Sequence, residues 1–412
     1  MITPHLNFSC FLGRRVHLGV CGSVAAYKSL ELLRQLRQCQ VAVGVTLTES
    51  AQRFIGAESF RALGADPVGT AMFGPGAGPD PFAHLTPGQT AGALVIAPAT
   101  ASILAKLAHG LADDLLSTQA LAFSGPLLLA PAMNPAMWHA PATQANWHTL
   151  LNRGAVGIGP AVGDVACGDT GAGKLSPVEH ILAGVLRALS PRDLDGKTVL
   201  VTLGPTRERW DAVRFLSNAS SGLMGACLAM AAWMRGARVR VVAGPTEIDF
   251  PPGIEVTTVT SAREMLDACQ DLWPDTDLAC CTAAVCDFRP LLPENADPAR
   301  KLKKRDMAGG ELAVRLTANP DILRTLGEQK RADQILIGFA AETEDLAGQA
   351  RLKLNEKNLD LIVANLVGVP GSGFNSDTNT VTVLDRTGRM ETWPELPKTE
   401  VAWRVWDLLR HL

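Results

Sequence analysis

Val16-His17-Leu18-Gly19-Val20-Cys21-Gly22-Ser23 is a short apolar run closed by a tight turn, and Thr198-Val199-Leu200-Val201-Thr202-Leu203-Gly204-Pro205 repeats the pattern about half a chain later. After the first run, the stretch from Ala25 to Leu36 has helical spacing, and Val41-Ala42-Val43-Gly44-Val45 reads as a second buried strand. This is a βαβ unit. After the second run, Gly222-Leu223-Met224-Gly225 leads into a helix over 226–234, and Arg235-Gly236-Ala237 turns the chain into the strand Val239-Arg240-Val241-Val242. The fold class is therefore expected to be α/β, with two doubly wound Rossmann-like domains in tandem. Ligands of open parallel sheets sit beyond the carboxyl ends of the strands, where helix N-termini aim amides at phosphate. Each half is expected to carry its own site.

Further apolar runs supply the remaining strands. In the first half, 93–98 and 126–131 read as buried strands, each expected to stop at its proline, Pro98 or Pro131. In the second half, 278–282, 335–339 and 361–364 are strands, a helical pattern covers 340–357, and 398–412 reads as a packed terminal helix. The Gly- and Pro-rich stretch 74–81 is a surface loop. Ser190-Pro191-Arg192-Asp193-Leu194-Asp195-Gly196-Lys197 is polar and punctuated by Pro and Gly, so the boundary falls there, giving domains 1–190 and 191–412.

Composition narrows the functional classes. A chain of 412 residues exceeds what one hydrophobic core usually serves, and 47% hydrophobic against 19% charged residues with a net charge of -3 describes a globular protein without affinity for nucleic acid. The 9 cysteines form no CxxC pair, which argues against a disulfide framework and a thiolate zinc site and suits a reducing, cytoplasmic location. The longest apolar stretch, 91–105, is broken by Pro98 and stops at Lys106, and the N-terminus lacks a signal pattern, so no membrane partner is expected.

In the first half, Gly22-Ser23-Val24-Ala25 lies at a strand-to-helix turn suited to phosphate, although such a turn also serves to pack a helix on a sheet. Thr48 and the pair Thr100 and Ser102 place hydroxyls at further strand ends. Asn134, between Pro131 and Pro135, can aim its NH2 at a carboxylate or simply make a turn. Cys167 stands in the glycine-rich segment 166–174, whose mobility suits a lid. His84 follows the flexible loop. Taken together, GSVAAYK, APATAS, GLADDLLST, PAMNPAMW and ACGDTGAGKL resemble the flavin-dependent cysteine decarboxylases, specifically the phosphopantothenoylcysteine decarboxylases of coenzyme A synthesis. The resemblance implies FMN held by Gly22, Ser23, Thr48, Thr100 and Ser102, and a decarboxylation in which electrons lent to the flavin return within one turnover. It also implies that His84 is a base near the flavin, that Asn134 grips the carboxylate and that Cys167 protonates the enethiolate. In the family the histidine usually opens a His-Ile-x-Leu stretch running to Ala-Asp, whereas this chain has His84-Leu85-Thr86-Pro87 running to Ala91-Gly92.

In the second half, Leu216-Ser217-Asn218-Ala219-Ser220-Ser221-Gly222 crowds small hydrogen-bonding residues before a helix, as an anion cradle requires. Lys301-Leu302-Lys303-Lys304-Arg305 is a cationic run that suits either a solvated face or the neutralisation of a triphosphate. With Gly204-Pro205-Thr206-Arg207-Glu208, the stretch 282–288, Asn319-Pro320-Asp321-Ile322 and Gly338-Phe339-Ala340-Ala341-Glu342-Thr343, these segments resemble phosphopantothenate–cysteine ligase over nearly the whole half. The resemblance implies that CTP activates the carboxylate of 4'-phosphopantothenate as an acyl-cytidylate and that the amine of L-cysteine then displaces CMP. Asn218 would stabilise formation of the acyl-cytidylate and Lys301 would assist the attack by cysteine. Ser220, Ser221, Gly222, Asn319, Pro320, Asp321, Ile322, Phe339, Lys353 and Lys357 would form the nucleotide pocket, and Asp287 would contact the nucleotide or its Mg2+. The i,i+4 spacing of Lys353 and Lys357 also suits an exposed stripe. The family's lysine after SSG is Leu223 here, so a phosphate contact from that position is absent.

The two resemblances together imply a bifunctional enzyme whose ligase half feeds its decarboxylase half, assembled as a homo-oligomer of trimeric decarboxylase and dimeric ligase units. Two alternatives stay open. A nicotinamide-dependent oxidoreductase needs a GxGxxG turn, which neither Gly19-x-Cys21 nor Gly204-Pro205 forms. A flavoprotein regulator without turnover would bind flavin and release no CO2.

Overall fold

The computed structural model describes residues 2–74, 77–78, 80–291, 301, 313–342, 346–366 and 376–409. The chain divides into two compact units, Met1–Pro191 and Arg192–Leu412.

In the first unit the apolar runs form six strands: β1 (Arg15–Val20), β2 (Ala42–Leu47), β3 (Val68–Gly69), β4 (Ala93–Ala99), β5 (Leu127–Pro131) and β6 (Val156–Gly157). They pair in parallel in the order β3-β2-β1-β4-β5-β6. All of β4 is buried, as a strand covered on both faces requires. Helices cross between the strands, and the helix Val178–Leu189 that closes the unit turns Ile181, Leu182, Val185 and Leu186 into the core. The segment expected to be helical from Ala25 opens as a 3-10 turn, Val24–Tyr27, and becomes α-helical at Lys28–Gln38, because Ser23 Oγ caps the turn by accepting the Ala25 N–H at 3.3 Å. The strand expected to stop at Pro98 continues to Ala99. Its register shifts between Ile96 and Ala99, which lets a residue without an N–H sit inside the ladder.

After the sheet comes an antiparallel hairpin, β7 (Ala161–Asp164) and β8 (Thr170–Lys174), that the glycine-rich sequence did not announce. It is fastened by the Met133 N–H, which donates to the Gly173 carbonyl at 2.9 Å. Position 173 tolerates only glycine: its φ is +145°, and a Cβ would stand 2.3 Å from the Met133 oxygen.

The second unit repeats the plan. Strands β9 (Thr198–Leu203), β10 (Arg207–Arg209), β11 (Phe215–Ser217), β12 (Arg238–Ala243), β13 (Ile254–Thr258), β14 (Leu278–Cys281), β15 (Phe288–Pro290), β16 (Leu316–Ala318), β17 (Ile335–Glu342), β18 (Leu361–Leu366), β19 (Thr378–Asp385) and β20 (Met390–Pro397) follow in sequence. The main sheet runs β13-β12-β9-β14-β17-β18-β19-β20. Its first six strands are parallel and match the first sheet rank for rank, while β19 and β20 add an antiparallel hairpin that the sequence reading lacked. The helix expected from residue 340 begins later, at Leu346–Glu356, because Ala340 and Ala341 stay in β17, paired with Ala364 and Asn365 of β18. The helix Leu223–Met234 is buried from Gly225 onward on every side. It lies under the terminal helix Lys398–Leu408, where the Trp406 Nε1–H donates to the Leu228 carbonyl at 3.0 Å. Among the described residues, no helix is long and apolar enough to cross a membrane.

Candidate functional site

The first unit has a cavity of about 530 Å³ beyond the carboxyl ends of β1, β2, β4 and β5. Gly22, Ser23, Thr48, Thr100 and Ser102 all line it. Each belongs to a strand-to-helix turn. Thr48 Oγ1 accepts the Ala51 N–H at 3.2 Å, and Thr100 caps the helix Ala101–His109. Ile103, Ala132, Met133 and Met137 also line it, so the cavity combines hydrogen-bonding hydroxyls with apolar, polarisable side chains. Size and donor set fit a phosphorylated aromatic cofactor. The sequence reading missed Lys106, whose ammonium lies 2.7 Å from Asp113 Oδ1 and 2.6 Å from Asp114 Oδ2 at the edge of the same cavity.

Asn134 caps the short helix Pro135–His139: its Oδ1 accepts the Ala136 N–H at 2.7 Å, which turns its NH2 outward. That NH2 meets Cys167 Sγ at 3.1 Å and Asp169 Oδ2 at 2.5 Å, and the Cys167 thiol points to the same carboxylate oxygen at 3.4 Å. Asp169 was not singled out from sequence. Cys167 sits on the exposed loop between β7 and β8, and Cys10 and Cys167 are the two exposed cysteines of the nine. Burial pushes the Cys21 and Cys39 thiols up to about 12, which leaves them protonated and inert. His84 is half-buried, its ring 6.5 Å from that of Phe82, and it is not among the residues lining the cavity.

The second unit has a cavity of about 600 Å³ at the ends of β9, β14, β17 and β18. One wall is the turn Asn218, Ser220, Ser221 and Gly222. Gly222 holds φ +79°, and a Cβ there would come within 3.1 Å of the Gly204 nitrogen. The Asn218 NH2 donates to the Ala284 and Val285 carbonyls at 3.1 and 3.2 Å, which ties this turn to the loop after β14. The second wall is Asp287 with Asn319, Pro320, Asp321 and Ile322. Asn319 anchors it by donating from Nδ2 to the Cys286 carbonyl at 2.8 Å. The third is Phe339 with Lys353 and Lys357. Burial would raise the Asp321 carboxyl, but the Lys357 ammonium at 2.9 Å and the Arg324 N–H hold it below its usual value.

Among the described residues no group of three or more His, Cys, Asp or Glu side chains could hold a metal ion. Asp287 and Asp321 are both exposed in this cavity, but Asp321 is paired with Lys357, so the carboxylates present fit only a metal whose remaining ligands come from substrate phosphates and water. Lys301 is exposed, while positions 302–305 of its cationic run and Thr343 lie outside the described residues. The cavity also takes in Asn365 of β18, Asn379 of β19 and Lys398 of the terminal helix, which the sequence reading did not select.

Two α/β units, each with a cavity where its strand order reverses, define a tandem doubly wound protein with a small-molecule-sized cavity in each unit. Residues 9–190 match the Flavoprotein family, and residues 194–412 match the DNA/pantothenate metabolism flavoprotein C-terminal domain. The chain is 41% identical over 396 residues to the coenzyme A biosynthesis bifunctional protein CoaBC of Bacillus subtilis, covering 95% of each chain. It is 40% identical over 379 residues to that of Escherichia coli, covering 91% of this chain and 92% of the relative. A solved C-terminal domain of such a protein is 38% identical with a TM-score of 0.44, covering 53% of this chain and 97% of that one. The chain belongs to the family of bifunctional coenzyme A biosynthesis proteins. It is an enzyme with a decarboxylase and a ligase activity.

Proposed function

We propose that the second unit joins L-cysteine to 4'-phosphopantothenate using CTP, and that the first unit decarboxylates the resulting phosphopantothenoylcysteine to 4'-phosphopantetheine using FMN. The meeting of Asn134, Cys167 and Asp169 carries this reading. The Asn134 NH2 already holds a carboxylate, that of Asp169, within reach of a thiol. A substrate carboxylate taking the place of Asp169 would meet the same donor, and the Cys167 S–H would stand ready to deliver a proton after CO2 leaves.

Gly22, Ser23, Thr48, Thr100 and Ser102 would hold FMN in the first cavity. When bound, the flavin supplies reversible electron acceptance at the thiol end of the substrate, which makes loss of CO2 possible next to sulfur. His84 is assigned as the base. Its place outside the cavity lining suits a site completed by another subunit, in a homo-oligomer of trimeric decarboxylase and dimeric ligase units.

In the second unit a carboxylate oxygen of 4'-phosphopantothenate attacks the α-phosphorus of CTP and releases pyrophosphate. The cysteine nitrogen then attacks the acyl carbon and releases CMP. Asn218, whose NH2 is tethered to two carbonyls, would have to exchange one of those bonds to stabilise the acyl-cytidylate. Ser220, Ser221 and Gly222 would cradle phosphate, and Asn319 to Ile322, Phe339, Lys353 and Lys357 would surround the nucleotide. Asp287 would contact Mg2+ carried by the triphosphate, and Lys301 would assist the cysteine attack. The substrates are small metabolites, and the proposed location is the cytoplasm. Incubating the purified chain with 4'-phosphopantothenate, CTP, Mg2+ and cysteine should yield CMP, pyrophosphate, CO2 and 4'-phosphopantetheine by mass spectrometry. Flavin binding without CMP or CO2 would instead make the chain a regulator.

A further inference from the structure

His84 sits in a turn that a proline leaves one hydrogen bond short. The Phe82 carbonyl accepts the Leu85 and Thr86 N–H groups at 2.7 and 3.2 Å, and Asp80 closes the turn by accepting the Phe82 N–H at 2.8 Å and the Thr86 hydroxyl at 2.5 Å. The bond from Thr86 to Phe82 spans four residues, so the next bond of the same kind would run from residue 87 to the Ala83 carbonyl. Residue 87 is proline, which has no N–H to give. Among the described residues the donor that reaches the Ala83 carbonyl is Gln119 Nε2, at 2.9 Å and 36 positions further along the chain.

Gln119 is 3% exposed and stands on the helix Leu115–Leu121. That helix begins at the first cavity: its capping residue Asp114 accepts the Ser117 N–H at 2.8 Å and lines the cavity with Lys106. The short helix Thr86–Thr90 that follows the His84 turn lies close to its other end, where a Cβ on Gly88 would come within 3.2 Å of the Ala122 carbonyl oxygen. A carbonyl withdrawn from water without a donor costs free energy, so the chain at the half-buried Ala83 settles where the Gln119 amide meets it. The next residue along the backbone is His84.

We propose that Gln119 is the positioning residue of His84: by supplying the hydrogen bond that Pro87 removes, it ties the histidine-bearing turn to the helix that borders the first cavity. The inference rests on the reading of His84 as the base of the decarboxylation. The test uses the full-length protein loaded with FMN and supplied with phosphopantothenoylcysteine, and compares the wild type with Gln119→Met, His84→Asn and the double variant. Methionine keeps the length of the side chain and removes its donor. Gln119→Met should lower kcat by about 10- to 100-fold and leave KM, flavin content and CMP release by the ligase unit unchanged. In the His84→Asn background the same substitution should cost less than about 2-fold, because a residue that acts through the histidine has nothing left to position. Adding Pro87→Ala to Gln119→Met restores an N–H at the place an α-turn aims at the Ala83 carbonyl, and the rate should recover. A wild-type rate for Gln119→Met beside an impaired His84→Asn overturns the proposal, and so does an equal loss in both backgrounds, which marks a glutamine that serves only the fold. A wild-type rate for His84→Asn breaks the reading of the base, and the proposal falls with it.

Discussion

The two units share one strand order and differ in the antiparallel hairpins added after it, the small β10–β11 and β15–β16 pairs of the second unit aside. In the first, the addition is the glycine-rich hairpin β7–β8, detached from the main sheet, with Val162 and Cys167 exposed. In the second it is β19–β20, continuous with the main sheet and burying Val381, Val383, Leu384 and Trp393. A detached hairpin held by a few polar contacts opens at little cost, which suits a flap carrying a proton donor. A hairpin fused to the sheet instead adds a fixed wall. Parallel strands thus supply the place for a ligand in both units, and antiparallel additions decide how mobile each site is.

The sharpest way to break this comparison is Cys167→Ser. Decarboxylation should fall by about 10²- to 10⁴-fold, with the enethiol accumulating and amide formation intact. Mass spectrometry of the product mixture reads both, and an unimpaired decarboxylase would remove the thiol from the mechanism. Asn218→Asp should do the reverse, lowering CMP release by about 10²- to 10³-fold while decarboxylation of supplied phosphopantothenoylcysteine persists. Equal loss of both activities would mean that the substitution acts through folding.

Acid should also separate the units. His17 is 4% exposed in β1, and burial, helped by the charge of Arg15, lowers its value from 6.5 to about 4. Its ring nitrogen lies 2.8 Å from Thr46 Oγ1. Above pH 6.5 neither folded nor unfolded chain carries the proton, so nothing changes. Between pH 6.5 and 4 the unfolded chain takes up a proton that the folded chain lacks, and the first unit loses about 3 kcal/mol as pH falls. The strand β9 that holds the same rank in the second sheet has no ionisable side chain. His17→Gln should flatten the pH dependence of first-unit unfolding, and an unchanged slope would place the acid sensitivity elsewhere. Smallest is Gly173→Ala, expected to cost about 1–3 kcal/mol in local strain. Hydrogen exchange over 161–174 should quicken while the second unit is unaffected; unaltered exchange would deny that the flap hangs on Met133.

Much of the scaffold was legible because a parallel strand buried on both faces is a contiguous apolar run. The runs 16–20, 93–98, 198–203 and 361–364 each became a strand. The hairpins were not: Gly163, Gly168, Gly171 and Gly173 dilute any alternation in the first, and the second gained its burial from pairing with β18. At the sites, the turns lining each cavity were readable one by one, whereas Asp169 entered only through Asn134, 35 positions away.

The order of apolar runs and the turns that close them determined that two open sheets would each end in strand-to-helix turns, since both signals lie within a few neighbouring residues. The tertiary structure alone decided which side chains meet there. Asn134 reaches Asp169 across 35 positions and Asn379 comes to rest beside Met224 because hairpin register and helix packing, not local pattern, bring distant polar groups within hydrogen-bonding range.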